Sequence, residues 1–131
     1  QAEFLNAVGT FESEESPEAI KEMLESIESA LGKSPPFRFG PRTIDLDILL
    51  FGELVLPDRS TWMARKRSAI SDQRSEILTI PHLKIDKRRF VLEPLLELID
   101  PETIHPVLGK PLSQSLSGIL DQTCERTTIV L

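Results

Sequence analysis

The chain has 131 residues, of which 40% are hydrophobic and 27% are charged, and this composition is typical of a single soluble globular domain. Its formal net charge of −6 argues against a broad surface for nucleic acid or for an anionic membrane. No hydrophobic run reaches the length of a membrane-spanning helix, so no membrane partner is predicted. The single cysteine, Cys124, cannot form an internal disulfide, which favours a reducing compartment such as the cytoplasm.

The N-terminal part of the chain predicts a strand followed by a helix. Residues 4–11 have the composition of a strand, and we expect a further segment of the protein to precede it. Ser16 and Pro17 are typical of an N-cap and a first helical position. Apolar residues then recur at helical spacing over residues 20–31, and Gly32 is predicted to close the helix.

Two aspartates, Asp45 and Asp47, stand at the head of the apolar run 48–51, which predicts a strand that ends at Gly52. Because side chains alternate along a strand, both carboxylates point the same way, with their Cα atoms about 6.5–7 Å apart. Such a pair suits two hard divalent ions, which two-metal sites hold between shared carboxylates. Two solvated acids at the start of a strand are the alternative, and Asp-x-Asp alone leaves both interpretations open.

After a tight turn at Gly52-Glu53 and a short strand over residues 54–56, the polar residues 57–76 predict a long loop with at most one helical turn. This loop contains Trp62, and its basic residues are Arg59, Arg65, Lys66, Arg67 and Arg74. It could close over a nucleotide as a lid, but a solvated, disordered insertion is the favoured interpretation.

The remaining chain predicts a short strand, two helices and a last strand. The strand covers residues 77–80 and ends at Pro81-His82. Residues 86–99 have helical periodicity that Pro94 should kink or restart. A short helix follows over residues 112–120, opened by Pro111, and residues 127–131 predict a strand. This order gives one α+β domain over residues 1–131, with a largely antiparallel sheet.

The stretch from Arg38 to Gly52 (RFGPRTIDLDILLFG) closely resembles the signature of the hydroxymethyl-dihydropterin pyrophosphokinase family of folate biosynthesis. Phe4-Leu5-Asn6-Ala7, Ile80-Pro81-His82, Arg88 and Phe90 extend the resemblance in the same order, from about residue 3 to about residue 120. Only residues 57–76 are unmatched. The resemblance implies a ferredoxin-like sandwich that transfers pyrophosphate from ATP to 6-hydroxymethyl-7,8-dihydropterin and releases AMP. It also implies two Mg²⁺ ions and a cytoplasmic monomer, in some cases linked to neighbouring folate-pathway enzymes.

The same resemblance implies roles for individual residues. The metal ligands are Asp45 and Asp47, and the catalytic set adds Arg42 and Arg88. The ATP-binding residues implied are Lys33, Arg42, Ile48, Leu78, Thr79, His82 and Arg88. The pterin-binding residues implied are Phe4, Asn6, Phe39, Asp45 and Phe90. Five of these roles have alternatives. Arg42 could be an ion pair that neutralises Asp45, Phe4 a core residue, and Lys33 a charge without the bidentate geometry of arginine. His82 could be a structural, proline-flanked histidine, and Asn6 a strand residue that pairs with backbone.

Three other functions stay open. Members of the family begin with a Gly-Ser-Asn strand, a helix and a second strand that precede the matched region, so this chain alone is expected to be a weak or inactive fragment. A non-catalytic relic of the same fold would bind nucleotide without turnover. A two-metal nucleotidyltransferase also carries Asp-x-Asp on a strand, but the Gly-Ser turn and third carboxylate of that class are not clear in this sequence.

Overall fold

A computed structural model describes residues 5–32, 44–68 and 78–126. The chain divides into two compact units, one comprising Glu12–Leu83 and the other comprising Gln1–Phe11 with Lys84–Leu131. The first unit contains helices α1 (Pro17–Gly32) and α2 (Arg59–Arg67), and the second contains α3 (Arg89–Leu95) and α4 (Leu112–Ser117). None of the helices in the described part of the chain is long and apolar enough to cross a membrane.

Helix α1 has the bounds that the sequence predicts. The backbone N–H of Ala19 donates to the Ser16 hydroxyl at 3.1 Å, and the N–H of Ile20 donates to the Ser16 carbonyl at 3.0 Å. Ser16 is therefore the N-cap, with Pro17 at the first helical position, where its missing N–H costs nothing. The helix ends at Gly32 and buries Ile20, which is 4% exposed.

The segment predicted as a long loop contains a nine-residue helix, α2. Asp58 is its N-cap: one carboxylate oxygen accepts the N–H of Thr61 at 2.7 Å and the other accepts the Thr61 hydroxyl at 2.9 Å. Both hydrogen bonds hold the pKa of Asp58 below its ordinary value, and the bond from the backbone N–H has the larger effect. Trp62 is completely buried. The prediction of a disordered loop is therefore wrong for residues 59–67, whereas residues 69–77 lie outside the described part.

Residues 44–58 and 78–83, which form no helix, make up most of the rest of the described part of the Glu12–Leu83 unit. The turn predicted at Gly52-Glu53 is present: the N–H of Leu54 donates to the Phe51 carbonyl at 3.1 Å, and Gly52 has φ +57°, a conformation that favours glycine. Leu56 and Ile80 form an antiparallel bridge through hydrogen bonds of 2.9 and 3.2 Å. This pairing joins the two predicted short strands.

The sheet predicted from the sequence is described in part only. Over residues 5–32, 44–68 and 78–126, β pairing is limited to two isolated bridges, Leu56 with Ile80 and Ile104 with Pro111. Residues 5–11 and 44–51 carry no ladder there. The α+β sandwich therefore stays a prediction, and the predicted strand over residues 127–131 lies outside the described residues.

In the other unit, helix α3 packs against α4. Helix α3 begins at Arg89, three residues later than the periodicity predicts, and its last turn contains Pro94. Leu92 and Leu95 are buried at this contact. Helix α4 begins at Leu112, as predicted, but ends at Ser117 rather than at residue 120. Turns replace the ends of both predicted helices, because Pro94 removes a donor from the helical pattern and Gly118 weakens it.

His105 organises the loop that precedes α4. Its imidazole is fully buried, and Nδ1 accepts the backbone N–H groups of Val107 at 3.1 Å and Leu108 at 3.0 Å. Gly109 has φ +72°, which closes the loop, and the N–H of His105 donates to the Lys110 carbonyl at 2.9 Å. This histidine is a structural hydrogen-bond acceptor.

Candidate functional site

The pair Asp45 and Asp47 has the alternation that the sequence predicts. Both aspartates are exposed, whereas Leu46 and Ile48 are half-buried. The backbone N–H of Leu46, between the two aspartates, donates to the Glu28 carboxylate at 2.7 Å. A side chain of α1 therefore anchors the backbone that carries both acids, and it fixes which face they occupy.

His82 lies beside this pair. Its Nε2 is 3.9 Å from Oδ2 of Asp47, so the contact is electrostatic rather than a hydrogen bond. The imidazole is 7% exposed and the Asp47 side chain is 53% exposed. The N–H of His82 donates to the Leu49 carbonyl at 3.0 Å, two residues after Asp47. The tertiary structure therefore brings together an aspartate and a histidine that are 35 positions apart in the sequence.

The chemistry of these donors fits magnesium held jointly with a phosphate ligand. Within the described residues, no group of three or more His, Cys, Asp and Glu side chains could hold a metal ion. Mg²⁺ does not require such a cage, since it is commonly bound by one or two carboxylates, several waters and substrate phosphates. Asp45 and Asp47 are hard oxygen donors on an accessible face, and a polyphosphate could complete the coordination there.

Three further predicted ATP contacts of this unit, Ile48, Leu78 and Thr79, lie in the described part of the chain and are half-buried. Ile48 follows the acidic pair, and the Thr79 hydroxyl accepts a hydrogen bond from the Arg65 guanidinium of α2. Leu78 lines an open groove of about 450 Å³ against the first turns of α1. The rest of that groove consists of Glu18, Lys21, Glu22, Glu25, Leu56 and Pro57. Its acidic wall is unsuited to a triphosphate, so a role for Leu78 is confined to the uncharged part of a nucleotide.

Three of the predicted site residues that the structure describes belong to the other unit. Arg88 precedes α3, and its guanidinium carbon lies 5.6 Å from the centroid of the Phe90 ring, a cation–π contact. The Phe90 side chain is exposed, as is Asn6. Four predicted residues, Phe4, Lys33, Phe39 and Arg42, lie outside the described part of the chain.

Sequence reasoning missed three residues that support the predicted ones. Glu28 anchors the backbone N–H of Leu46 through its carboxylate. Trp62 donates its indole N–H to the Pro81 carbonyl at 2.7 Å, next to His82. Gln122 accepts the N–H of Arg89 at 2.9 Å, where α3 begins. A lone tryptophan in a polar stretch signals burial, but no sequence signal identifies the partners of these side chains.

An accessible pair of carboxylates is suited to holding Mg²⁺ together with nucleotide phosphates. Comparison with known proteins identifies the family to which this chain belongs. Residues 1–100 match the family described as 7,8-dihydro-6-hydroxymethylpterin-pyrophosphokinase (HPPK). The chain belongs to this family, and the resemblance seen in its sequence is confirmed.

Three curated relatives illustrate the match. The "Folic acid synthesis protein fol1" of Schizosaccharomyces pombe is 37% identical over 122 residues, which are 93% of this chain and 14% of that protein. The 2-amino-4-hydroxy-6-hydroxymethyldihydropteridine pyrophosphokinase of Aquifex aeolicus is 33% identical over 114 residues, 87% of this chain and 60% of that protein. The protein of the same name from Haemophilus influenzae is 32% identical over 131 residues, all of this chain and 68% of that protein. The chain thus spans less than two thirds of the first two relatives.

Proposed function

We propose that the protein containing this chain transfers pyrophosphate from ATP to 6-hydroxymethyl-7,8-dihydropterin. The substrate hydroxyl oxygen attacks the β-phosphorus of ATP, the bond from that phosphorus to the α,β-bridging oxygen breaks, AMP leaves, and the hydroxyl proton is released to solvent. The observation that carries the proposal is the exposed pair Asp45 and Asp47 beside His82, inside the stretch that matches the family. Such a transfer requires mainly positioning and charge stabilisation, which these residue types can provide.

Asp45 and Asp47 are the proposed ligands of two Mg²⁺ ions. When bound, the ions would neutralise the charge on the transferred group, which is the chemistry that they supply in phosphoryl transfer. The chain contributes two carboxylates on one face, and the hydrogen bond between Glu28 and Leu46 holds the backbone between them in place. Mutual repulsion between the carboxylates is relieved by cations, so the pair favours metal binding electrostatically.

The remaining roles follow the residue types. His82 and Arg88 are proposed to bind phosphate oxygens, together with Lys33 and Arg42. Ile48, Leu78 and Thr79 are proposed to contact the adenosine part of ATP. Asn6 is proposed to read the polar edge of the pterin, because an amide offers both a donor and an acceptor. Stacking of the pterin ring is assigned to Phe4, Phe39 and Phe90, since flat aromatic side chains suit a flat heterocycle.

The proposed architecture is an α+β, ferredoxin-like sandwich in a cytoplasmic protein that is a monomer or is linked to other folate enzymes. The antiparallel bridge between Leu56 and Ile80 supports a sheet of mainly antiparallel strands. The relative in S. pombe, of which this chain spans 14%, supports a longer polypeptide. Nuclear Overhauser effects between α-protons of neighbouring strands would test the predicted sheet, and analytical ultracentrifugation would test whether the protein is a monomer.

The decisive experiment measures AMP release from ATP in the presence of hydroxymethyl-dihydropterin and Mg²⁺, with the whole protein and with this chain alone. Asp47→Asn should lower turnover on the order of a hundredfold or more, the scale seen when a group that stabilises transition-state charge is removed. Nucleotide binding without AMP in the whole protein would instead identify a non-catalytic relic. Full activity of the chain alone would refute the prediction that it is a weak fragment.

Substrate assignment needs a separate variant. Asn6→Ala should raise the KM for the dihydropterin and leave the KM for ATP unchanged, because an edge-reading amide contacts one substrate only. Equal losses for both substrates would contradict the role assigned to Asn6. Incorporation of a nucleotide monophosphate into a product would favour the nucleotidyltransferase alternative.

A further inference from the structure

Three side chains of α2 bind the segment that carries His82. Trp62, Arg65 and Lys66, called here the α2 anchor, lie within one turn of each other, so they share one face of the helix. They bind residues 79, 81 and 83, which flank Ile80 and His82 in the segment 78–83. The bonds run from the Trp62 indole N–H to the Pro81 carbonyl at 2.7 Å, from the Arg65 guanidinium to the Thr79 hydroxyl, and from the Lys66 ammonium to the Leu83 carbonyl.

Two of these hydrogen bonds are made to the backbone of the residues that flank His82 in the sequence. The carbonyl before it, of Pro81, is held by Trp62, and the carbonyl after it, of Leu83, is held by Lys66. Its own N–H donates to the Leu49 carbonyl at 3.0 Å. The peptide group before the histidine is therefore held at both its carbonyl and its N–H, and the carbonyl of the following residue is held as well, which restricts the backbone that carries the imidazole. The direction of the imidazole, 3.9 Å from Asp47, depends on that backbone.

The burial pattern agrees with an anchoring function. Trp62 is the one fully buried residue of α2, and Pro81, His82 and Leu83 are buried as well. Buried hydrogen bonds of this kind are costly to leave unmade, so the anchor resists local opening of the segment. The basic residues of α2 that donate here are partly buried, whereas Arg67 of the same helix is exposed.

We propose that the α2 anchor is a positioning element for His82, holding the imidazole beside the acidic pair so that it can bind an ATP phosphate. Trp62 and Lys66 are positioning residues in this scheme and do not contact the substrate. The inference rests on the proposed function for the identity of the ligand, but the placement of His82 by α2 can be tested without catalysis.

The kinetic test uses the whole protein. Trp62→Phe keeps an aromatic ring in the core and removes the N–H donor together with part of the indole volume, Lys66→Met removes a donor of the same anchor without opening the core, and Arg67→Gln on the same helix is the control. Trp62→Phe should raise the KM for ATP roughly three- to tenfold, the ratio that corresponds to one lost hydrogen bond, and leave the KM for the dihydropterin unchanged. A KM for ATP equal to that of the Arg67→Gln control would overturn the proposal.

A double-mutant cycle shows whether the effect passes through His82. In a His82→Ala background, Trp62→Phe should no longer change the KM for ATP, because the side chain that it positions is gone. The same several-fold rise in that background would refute the positioning role. If Trp62→Phe does not fold, Lys66→Met takes its place in the cycle, because methionine keeps most of the side-chain length and loses the donor. It should raise the KM for ATP in the unaltered protein and leave it unchanged in the His82→Ala background, and the same rise in both backgrounds would refute the positioning role.

A spectroscopic measurement separates this inference from the proposed function. The chain has 2 histidines, so the imidazole ¹⁵N signals of His82 and His105 can be assigned with one variant. Trp62→Phe should shift the His82 signals and leave those of His105 in place, and Arg67→Gln should shift neither. Unmoved His82 signals would overturn the anchor even in an active enzyme. Shifted signals would support it even if the whole protein formed no AMP, a result that would refute only the proposed function.

Discussion

The hydrogen bond from Leu46 to Glu28 offers a sharp test of how the acidic pair is held. Glu28 lies in the last part of α1, and its carboxylate accepts the Leu46 N–H at 2.7 Å. Both groups are half-buried, so water can replace the lost acceptor only in part. Glu28→Ala should therefore destabilise the fold and loosen the backbone between Asp45 and Asp47.

The size of the effect follows from the type of bond. A hydrogen bond to a charged acceptor contributes about 1.5–3 kcal/mol, and partial exposure of Leu46 and Glu28 places the expected loss near the lower end, about 1–2 kcal/mol. For a protein of this size the corresponding fall in Tm is roughly 3–10 °C. Glu28→Gln should lower the free energy of unfolding by about half as much, because its amide oxygen still accepts the hydrogen bond but carries no charge.

Urea unfolding of the three proteins measures the free energy directly, with Glu22→Ala as the control. Glu22 is exposed on the same helix, so the two alanine variants share the same change in helix propensity, and they differ in the bond to Leu46 and in the partial burial of Glu28. In the whole protein, Glu28→Ala should also raise the Mg²⁺ concentration needed for half-maximal AMP release. Equal unfolding free energies for Glu28→Ala and Glu22→Ala would refute the reasoning.

Three further changes have defined outcomes. Asp45→Ala should abolish AMP release with little change in Tm, since removing one of two repelling carboxylates relieves strain; a large fall in Tm would point to a structural ion pair. Because the pKa of Asp58 is lowered in the folded chain, its cap stabilises α2 fully above the ordinary pKa of 3.8 and loses this effect as the pH falls through the folded pKa. Asparagine caps a helix without titrating. Asp58→Asn should therefore flatten the pH dependence of the unfolding free energy, measured with urea, below pH 3.8. His105→Ala should cost about 2–4 kcal/mol because two backbone donors lose their acceptor, and His105→Asn should recover part of it in the same unfolding assay.

Local features account for what the sequence predicted correctly. The start of α1 at Ser16-Pro17, its end at Gly32 and the turn at Gly52 are each encoded by a residue with a strong conformational preference. The alternating exposure of Asp45 and Asp47 follows from the period of an extended chain. Neighbouring residues suffice to determine these features, so one sequence predicts them.

Tertiary contacts decided the rest. Helix α2 has one buried residue and a polar composition, so its periodicity is too weak to predict a helix, and its bonds to the 79–83 segment join positions 14 to 19 residues apart. The approach of His82 to Asp47 and the bond from Leu46 to Glu28 likewise depend on packing between distant segments. Sequence alone determined which residue types could bind metal and phosphate, because their chemistry is intrinsic. Only the folded chain determined which of them meet, because side-chain partners far apart in sequence are selected by burial and by the need to satisfy buried polar groups.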